Sequence, residues 1–179
     1  LTQIFFDAVE RHKLPNAYQF KKEGRYHPIS HQDVLRRVRH IATGLAELGV
    51  QRGDRVGIMA ENRPEWALAD WACLCSGLTD VPVYPTLPAE QIVHPLNDSG
   101  AVALFVSSPE QAAKAKSVRG ELKTVRTIIS FVDRKPDGAD MTLAEIEAKG
   151  AALDSAEKAV AFKAGAMAVQ PDDLATLIY

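Results

Sequence analysis

Between Ser30 and Gly49 the apolar residues Val34, Val38, Ile41, Leu45 and Leu48 recur at steps of three and four, a spacing that gathers them on one face of an α-helix. Ser30, with Asp33 three residues on, supplies a capped start, and Gly49 a left-handed end. Before it, Leu1–Lys13 reads as a short helix with Ile4, Phe5, Ala8 and Val9 inward. Ala17–Phe20 and Arg25–Ile29 read as a hairpin turning at Gly24. After it, apolar runs and helical stripes alternate. Arg55–Ala60 is a predicted strand, followed by a helix that starts at Pro64 and buries Ala67, Trp71, Leu74, Cys75 and Leu78. Val81–Tyr84 is a strand that Pro82 confines to a sheet edge or a strand start. A helix from Pro88 to Asn97 turns Ile92, Val93 and Leu96 inward, and Pro95 inside it should kink or shorten it.

Ala101–Val106 and Val125–Val132 are further strands. Between them Ser108, Pro109 and Gln111 start a capped helix that runs to about Val118. Thr142 and Glu145 cap another helix. Ala151–Ala168 is alanine-rich with few large anchors, and is expected to lie across the sheet surface or to be partly mobile. Leu174–Tyr179 is the last predicted strand. Strands alternating with helices imply an α/β fold: an open, mostly parallel, doubly wound sheet with helices on both faces, plus a small N-terminal hairpin.

The chain of 179 residues is 46% hydrophobic and 25% charged, which suits one globular unit, and its net charge of −2 argues against a nucleic-acid footprint. No apolar run approaches the roughly 18 residues of a membrane span, and a cytoplasmic protein is expected. Cys73 and Cys75 diverge by about half a turn on a helix and read as buried thiols. His27 and His31 have ligand-like spacing, but Pro28 and Ser30 between them indicate a turn.

Candidate chemistry is sparse. Glu61-Asn62-Arg63-Pro64 joins a strand to a helix N-terminus, where an anion could bind with help from Arg63. Without a glycine cluster the favoured reading is that Asn62 caps the helix and Arg63 pairs with Glu65 or meets solvent. Trp66 and Trp71 could line a pocket, although Trp71 is more simply core. Tyr84, at the carboxyl end of a strand, is the best-placed single side chain for a pocket, and packing beneath the following Pro85-Thr86 turn explains it about as well. No nucleophile elbow, metal cluster or paired general base is visible.

Six ordered segments carry more information than these motifs. They are Leu45-Ala-Glu-Leu-Gly-Val50, Gly53-Asp-Arg-Val56, Glu61-Asn-Arg-Pro-Glu-Trp66, Val81-Pro-Val-Tyr-Pro-Thr86, Asn97-Asp-Ser-Gly-Ala101 and Asp173-Leu-Ala-Thr-Leu-Ile-Tyr179. Together they resemble the amino-terminal part of AMP-forming acyl-CoA synthetases, most closely the long-chain-fatty-acid-CoA ligases. The resemblance implies activation of a fatty acid by ATP with magnesium, then transfer of the acyl group to coenzyme A. It also implies that residues 1–179 form an N-terminal subdomain ending just before the family's phosphate-binding loop. On that reading the chain alone is inactive, and no catalytic, cofactor-binding or metal residue of the family transfers to a numbered position here. Pro95 and the bulkier Leu78-Thr79-Asp80 depart from the pattern expected of relatives. Partners implied are the fatty acid, ATP and coenzyme A, with peripheral membrane contact and a homodimer both compatible. An exposed sheet face is expected to favour self-association. The rival readings are a stand-alone flavodoxin-like module, an amino-acid adenylation domain and an inactive scaffold.

Overall fold

The computed structural model describes residues 1–179. Five strands, β3 (Arg55–Met59), β4 (Thr79–Val83), β5 (Ala103–Val106), β6 (Thr127–Ser130) and β7 (Met141–Thr142), form one sheet in the order β4-β3-β5-β6-β7. Every pairing is parallel. The hairpin, β1 (Tyr18–Lys22) and β2 (Arg25–Ile29), is a separate antiparallel pair. Because the chain steps from β3 outward to β4 and then returns past β3 to β5, the winding reverses between β3 and β5. That reversal opens a crevice at the carboxyl ends of those two strands.

Alternation along the strands sends side chains into two cores. Val56, Ile58, Ala103, Phe105 and Ile129 face the first, while Met59, Val81, Val83, Leu104, Val106 and Ile128 face the second. Both faces are thus covered, which is why these strands read as continuous apolar runs. The exposed sheet face expected from the sequence does not exist. Each fully buried Ile, Leu, Val or Phe of this set contributes about 1.5–3 kcal/mol relative to exposure.

The first core is roofed by α1 (Thr2–His12), α2 (His31–Glu47), α3 (Pro64–Cys75), α6 (Leu143–Ala152) and α7 (Ala156–Met167), and the second by α4 (Ala89–Asp98) and α5 (Pro109–Ser117). Ser30, Ser108 and Thr142 cap α2, α5 and α6 as their spacing predicts. The inward face of α1 differs from expectation: Phe5, Phe6 and Val9 are buried, while Ile4 is 66% exposed. Aromatic contacts decide this, since Phe5 meets the Trp71 ring and Phe6 meets Phe162. On α3 the buried residues are Leu68, Ala69, Ala72, Cys73, Leu74 and Cys75, with Ala67 and Trp71 only half-buried. The helix lies between the sheet and α1 and α7, so burial spreads beyond one stripe.

Pro95 does not shorten α4, which continues to Asp98, and its carbonyl accepts both the backbone N–H and the hydroxyl of Ser99. The alanine-rich segment does not cross the sheet. It ends α6 and forms α7, and both pack on other helices, α6 on α2 and α7 on α3 and α1. Small residues are required at the α2–α6 crossing: a Cβ on Gly150 would land on the His40 carbonyl, and one on Gly44 on that of Ile146. Strand β7 escaped sequence reading because it has only two residues.

Leu174–Tyr179 is not a full strand. It makes one parallel bridge, Thr176 opposite Asp80, with Asp80 N–H donating to the Ala175 carbonyl and Leu177 N–H to the Asp80 carbonyl. In that register the next bond outward would need an N–H on Pro82, which has none. Pro82 thus sits in the edge strand, as expected, and confines the tail to a single bridge.

Candidate functional site

Beside the switch point the segments that follow β3 and β6 meet the hairpin across an open groove of about 1130 Å³. One wall is Ala17–Lys22 of the hairpin. The other is Glu61–Glu65, with Phe131, Val132 and Asp133 beyond β6. The hairpin is held by its base: Tyr18 is half-buried and its hydroxyl accepts a 3.0 Å bond from Trp71 Nε1. Burial pushes the Tyr18 hydroxyl above its ordinary pKa, the Trp71 bond pulls it down, and the Asp70 carboxylate raises it further.

Arg63 is the pivot of the opposite wall. Extended at φ −157°, it is the residue before α3, and its side chain makes no cap. Nε donates to Glu65 Oε2 at 2.7 Å, Nη1 donates to the Ser107 carbonyl at 2.7 Å, and the guanidinium lies 5.5 Å from the centre of the Phe131 ring. One side chain therefore ties the loop after β3 to the end of β5 and to the segment after β6. The pairing with Glu65 is as predicted. Asn62, expected to cap the helix, is exposed and does not do so.

The electrostatics of this wall oppose an anion. Glu61 is held below the ordinary carboxylate range, first by the Ser107 hydroxyl, then by its own backbone, with Arg63 and Lys114 assisting against some desolvation. It stays negative at neutral pH, and the positive charge of Arg63 is already taken by Glu65. No three His, Cys, Asp or Glu side chains converge in the chain to hold a metal. The groove is aromatic and apolar on Tyr18, Phe20, Phe131 and Val132, and Lys21 and Lys22 also line it.

Other candidates lie elsewhere. Tyr84 is 63% exposed at the end of the edge strand and takes no part in the groove. Trp66 packs half-buried against the first core. Both cysteines are free and buried, and burial pushes the Cys75 thiol up to about 12 and Cys73 well above its ordinary value, so neither is a nucleophile at neutral pH. His27 stacks on Phe20, and His31 Nδ1 accepts from Leu14 N–H, which places them in separate local roles. Sequence reading missed Tyr18, Phe131 and Ser107, because only the three-dimensional switch point brings them together.

The pattern of an AMP-binding enzyme matches residues 5–179. Over 162 residues, 90% of the chain, it is 35% identical to a long-chain-fatty-acid–CoA ligase, FadD15, of Mycobacterium bovis, and covers 26% of that protein. Over 110 residues, 62% of the chain, it is 36% identical to fatty acyl-CoA synthetase A of Dictyostelium discoideum, covering 16% of it. The chain thus spans about a quarter or less of the length of these relatives. Among solved structures, a long-chain-fatty-acid-CoA ligase from Archaeoglobus fulgidus superimposes with a TM-score of 0.73 at 20% identity, over 99% of this chain and 34% of that one. That likeness extends to the parallel sheet and its helical layers. With the sequence pattern matched over residues 5–179, almost from end to end, the chain belongs to the AMP-binding enzyme family.

Proposed function

We propose that these residues are the N-terminal subdomain of a fatty-acid-CoA ligase, and that the whole protein makes acyl-CoA in two displacements. A fatty-acid carboxylate oxygen attacks the α-phosphorus of ATP, forming acyl-AMP and expelling pyrophosphate. The coenzyme A sulfur then attacks the acyl carbon, expelling AMP and leaving the thioester. The observation that carries this reading is the 35% identity to a long-chain-fatty-acid–CoA ligase over 90% of the chain.

The site's chemistry divides the labour. With no converging carboxylates or imidazoles, none of these residues is assigned to magnesium. The anionic Glu61 and the committed Arg63 make the groove a poor seat for triphosphate. Its aromatic wall suits an acyl group instead, and phosphoryl transfer falls to residues outside this chain.

Pyrophosphate release tests the proposal. The whole protein should release it with ATP and long-chain fatty acids, and form thioester once coenzyme A is added. Release with amino acids and not with fatty acids would overturn the substrate class. These 179 residues alone should release none.

A further inference from the structure

Two carboxylates meet at the open edge of the sheet with no cation between them. Asp80 lies opposite Val56 in the β3–β4 ladder, so its side chain points to the side of the first core, where α3 brings Asp70 against it. Asp80 is 3% exposed and Asp70 is half-buried. The other titratable groups around the pair are the Tyr18 hydroxyl from β1 and the Cys73 and Cys75 thiols of α3, and the Leu1 amino group acts on Cys75. Burial keeps the hydroxyl and both thiols protonated at neutral pH, so the charge changes between about pH 4 and pH 7 fall on the two carboxylates. Carboxylates that share one site resist the second ionisation, and the pair holds a proton that solvated carboxylates would have lost.

The tail closes this site. Thr176 Oγ1 donates to Asp80 Oδ2 at 3.2 Å, and the two backbone bonds of the bridge, from Asp80 N–H and from Leu177 N–H, lay the tail along the same residue. Toward its ends the tail has other ties. Arg52 pairs with Asp173, Thr79 Oγ1 donates to the Leu174 carbonyl, and the Tyr179 hydroxyl donates to Asp98 while its ring meets that of His94 edge-on. The middle is held to the sheet by one bridge, and that bridge sits on the unpaired carboxylates.

We propose that Leu174–Tyr179 is a proton-operated latch, its bridge closed over the Asp70–Asp80 pair while the pair holds a proton and open once both carboxylates ionise. Lifting the middle of the tail admits water to Asp80, which stabilises its charged form and weakens its repulsion of Asp70. The open form therefore binds fewer protons than the closed one, and opening grows as the pH rises. Burial, and then the Asp80 charge, push the Asp70 carboxyl up to about 7 in the closed form. A solvated aspartate lies near about 4, so opening increases between those limits and levels off above them. The latch involves no substrate and stands apart from the ligase reading.

Amide hydrogen exchange of the chain, with the intrinsic pH dependence of the chemistry divided out, tests the latch. Protection at the Asp80 and Leu177 amides should fall about tenfold from pH 5 to pH 8, the equivalent of one pH unit of carboxyl shift relieved on opening, while the amides of β5 keep theirs. Asp70→Asn removes the repelling charge, and Asp80→Asn does so while keeping an oxygen for the Thr176 hydroxyl. In each variant the fall should shrink to about threefold or less. Thr176→Val should lower protection about fivefold at both pH values through the lost hydrogen bond. A flat profile in the parent would overturn the proposal, as would a fall shared equally by β5, which is global unfolding. A full tenfold fall in either Asn variant would also overturn it and move the cause to His94 or to the Arg52–Asp173 pair. Unchanged protection in Thr176→Val would show that the tail does not close on Asp80.

Discussion

The two edges of the sheet are closed in opposite ways. At one, β7 contributes only two ladder pairs, Ile129 with Met141 and Ser130 with Thr142. The chain then enters α6 through a reciprocal cap, with Glu145 N–H donating to Thr142 Oγ1 and Thr142 N–H to Glu145 Oε2. Helix α6 seats on α2 through Gly44 and Gly150, and two carboxylates cross to cations there: Glu147 to Arg37, and Asp154 to Arg39 and His40. At the other edge β4 is a full five-residue strand, yet its outer neighbour, the tail, makes one bridge and leaves Ile178 75% exposed. The carboxylates there, Asp70 and Asp80, have no cationic partner, and Asp80 accepts from the Thr176 hydroxyl and from its own backbone. An edge is sealed by the packing and charge pairing of the element next to it in the chain, and ladder length matters less.

The largest expected effect breaks the sealed edge. Gly150→Ala puts a methyl group onto the His40 carbonyl, backbone that no rotamer change can move aside. Overpacking of this kind should cost about 3 kcal/mol in urea unfolding, with the added helix propensity of alanine recovering under 1 kcal/mol. A variant as stable as the parent would mean that α6 rides loosely on α2 and that the contrast between the edges is false.

The second effect relieves the other edge. Burial, and then the neighbouring Asp80, push the Asp70 carboxyl up to about 7. The folded state therefore binds more protons than the unfolded one between about pH 4 and pH 7, and stability from this group falls as pH rises through that window. Above it the penalty is constant. Asp70→Asn should stabilise the protein by on the order of 2 kcal/mol at pH 8 and hardly at all at pH 4, the full conversion being halved for residual solvent. Equal effects at both pH values would show that charge is not the cause.

This asymmetry also governs what could be read from the sequence. Elements whose signals are local were legible: the Ser30, Ser108 and Thr142 caps, the apolar run of the Arg55–Ala60 strand, and the edge placement of Pro82. Failures occurred where a distant partner decides. Ile4 has the right spacing for a buried face, but Trp71 and Phe162 select Phe5 and Phe6 instead. At the candidate site, the Arg63–Glu65 pair spans two residues and was anticipated. The contact from Arg63 to Ser107 and the Tyr18–Trp71 anchor span 44 and 53 residues and left no local trace.

Restoring a donor at the open edge should have a smaller effect. Pro82→Ala supplies the N–H that the register lacks, so that residue 82 can donate to Leu177 and Tyr179 to residue 82. The added pairing is worth about 1 kcal/mol, offset by about half that through the freer unfolded chain. Hydrogen exchange is the sharper measurement. Protection at the amides of residues 82 and 179 in the variant would confirm that the proline, and not the tail's own sequence, ends the ladder. Fast exchange at both would put the cause in the tail.

The smallest effect concerns the charges of the sealed edge. Asp154 is held down to about 2, first by the Arg39 guanidinium, which reaches both of its oxygens, and then by His40, against some desolvation. Its folded pKa lies below the unfolded value of about 4. The stability it provides is therefore present above pH 4 and lost as the pH falls toward 2. Because the pair keeps solvent contact, the loss should be under about 1 kcal/mol. Asp154→Asn should lower stability by that amount at pH 6, where the carboxylate is charged, and leave it unchanged near pH 2. Glu147 is untouched by this substitution and still holds Arg37, so α6 should stay docked in the variant, with hydrogen-exchange protection on both sides of the α2–α6 crossing preserved. Collapse of that protection would move the seal from the glycine crossing to the ion pairs.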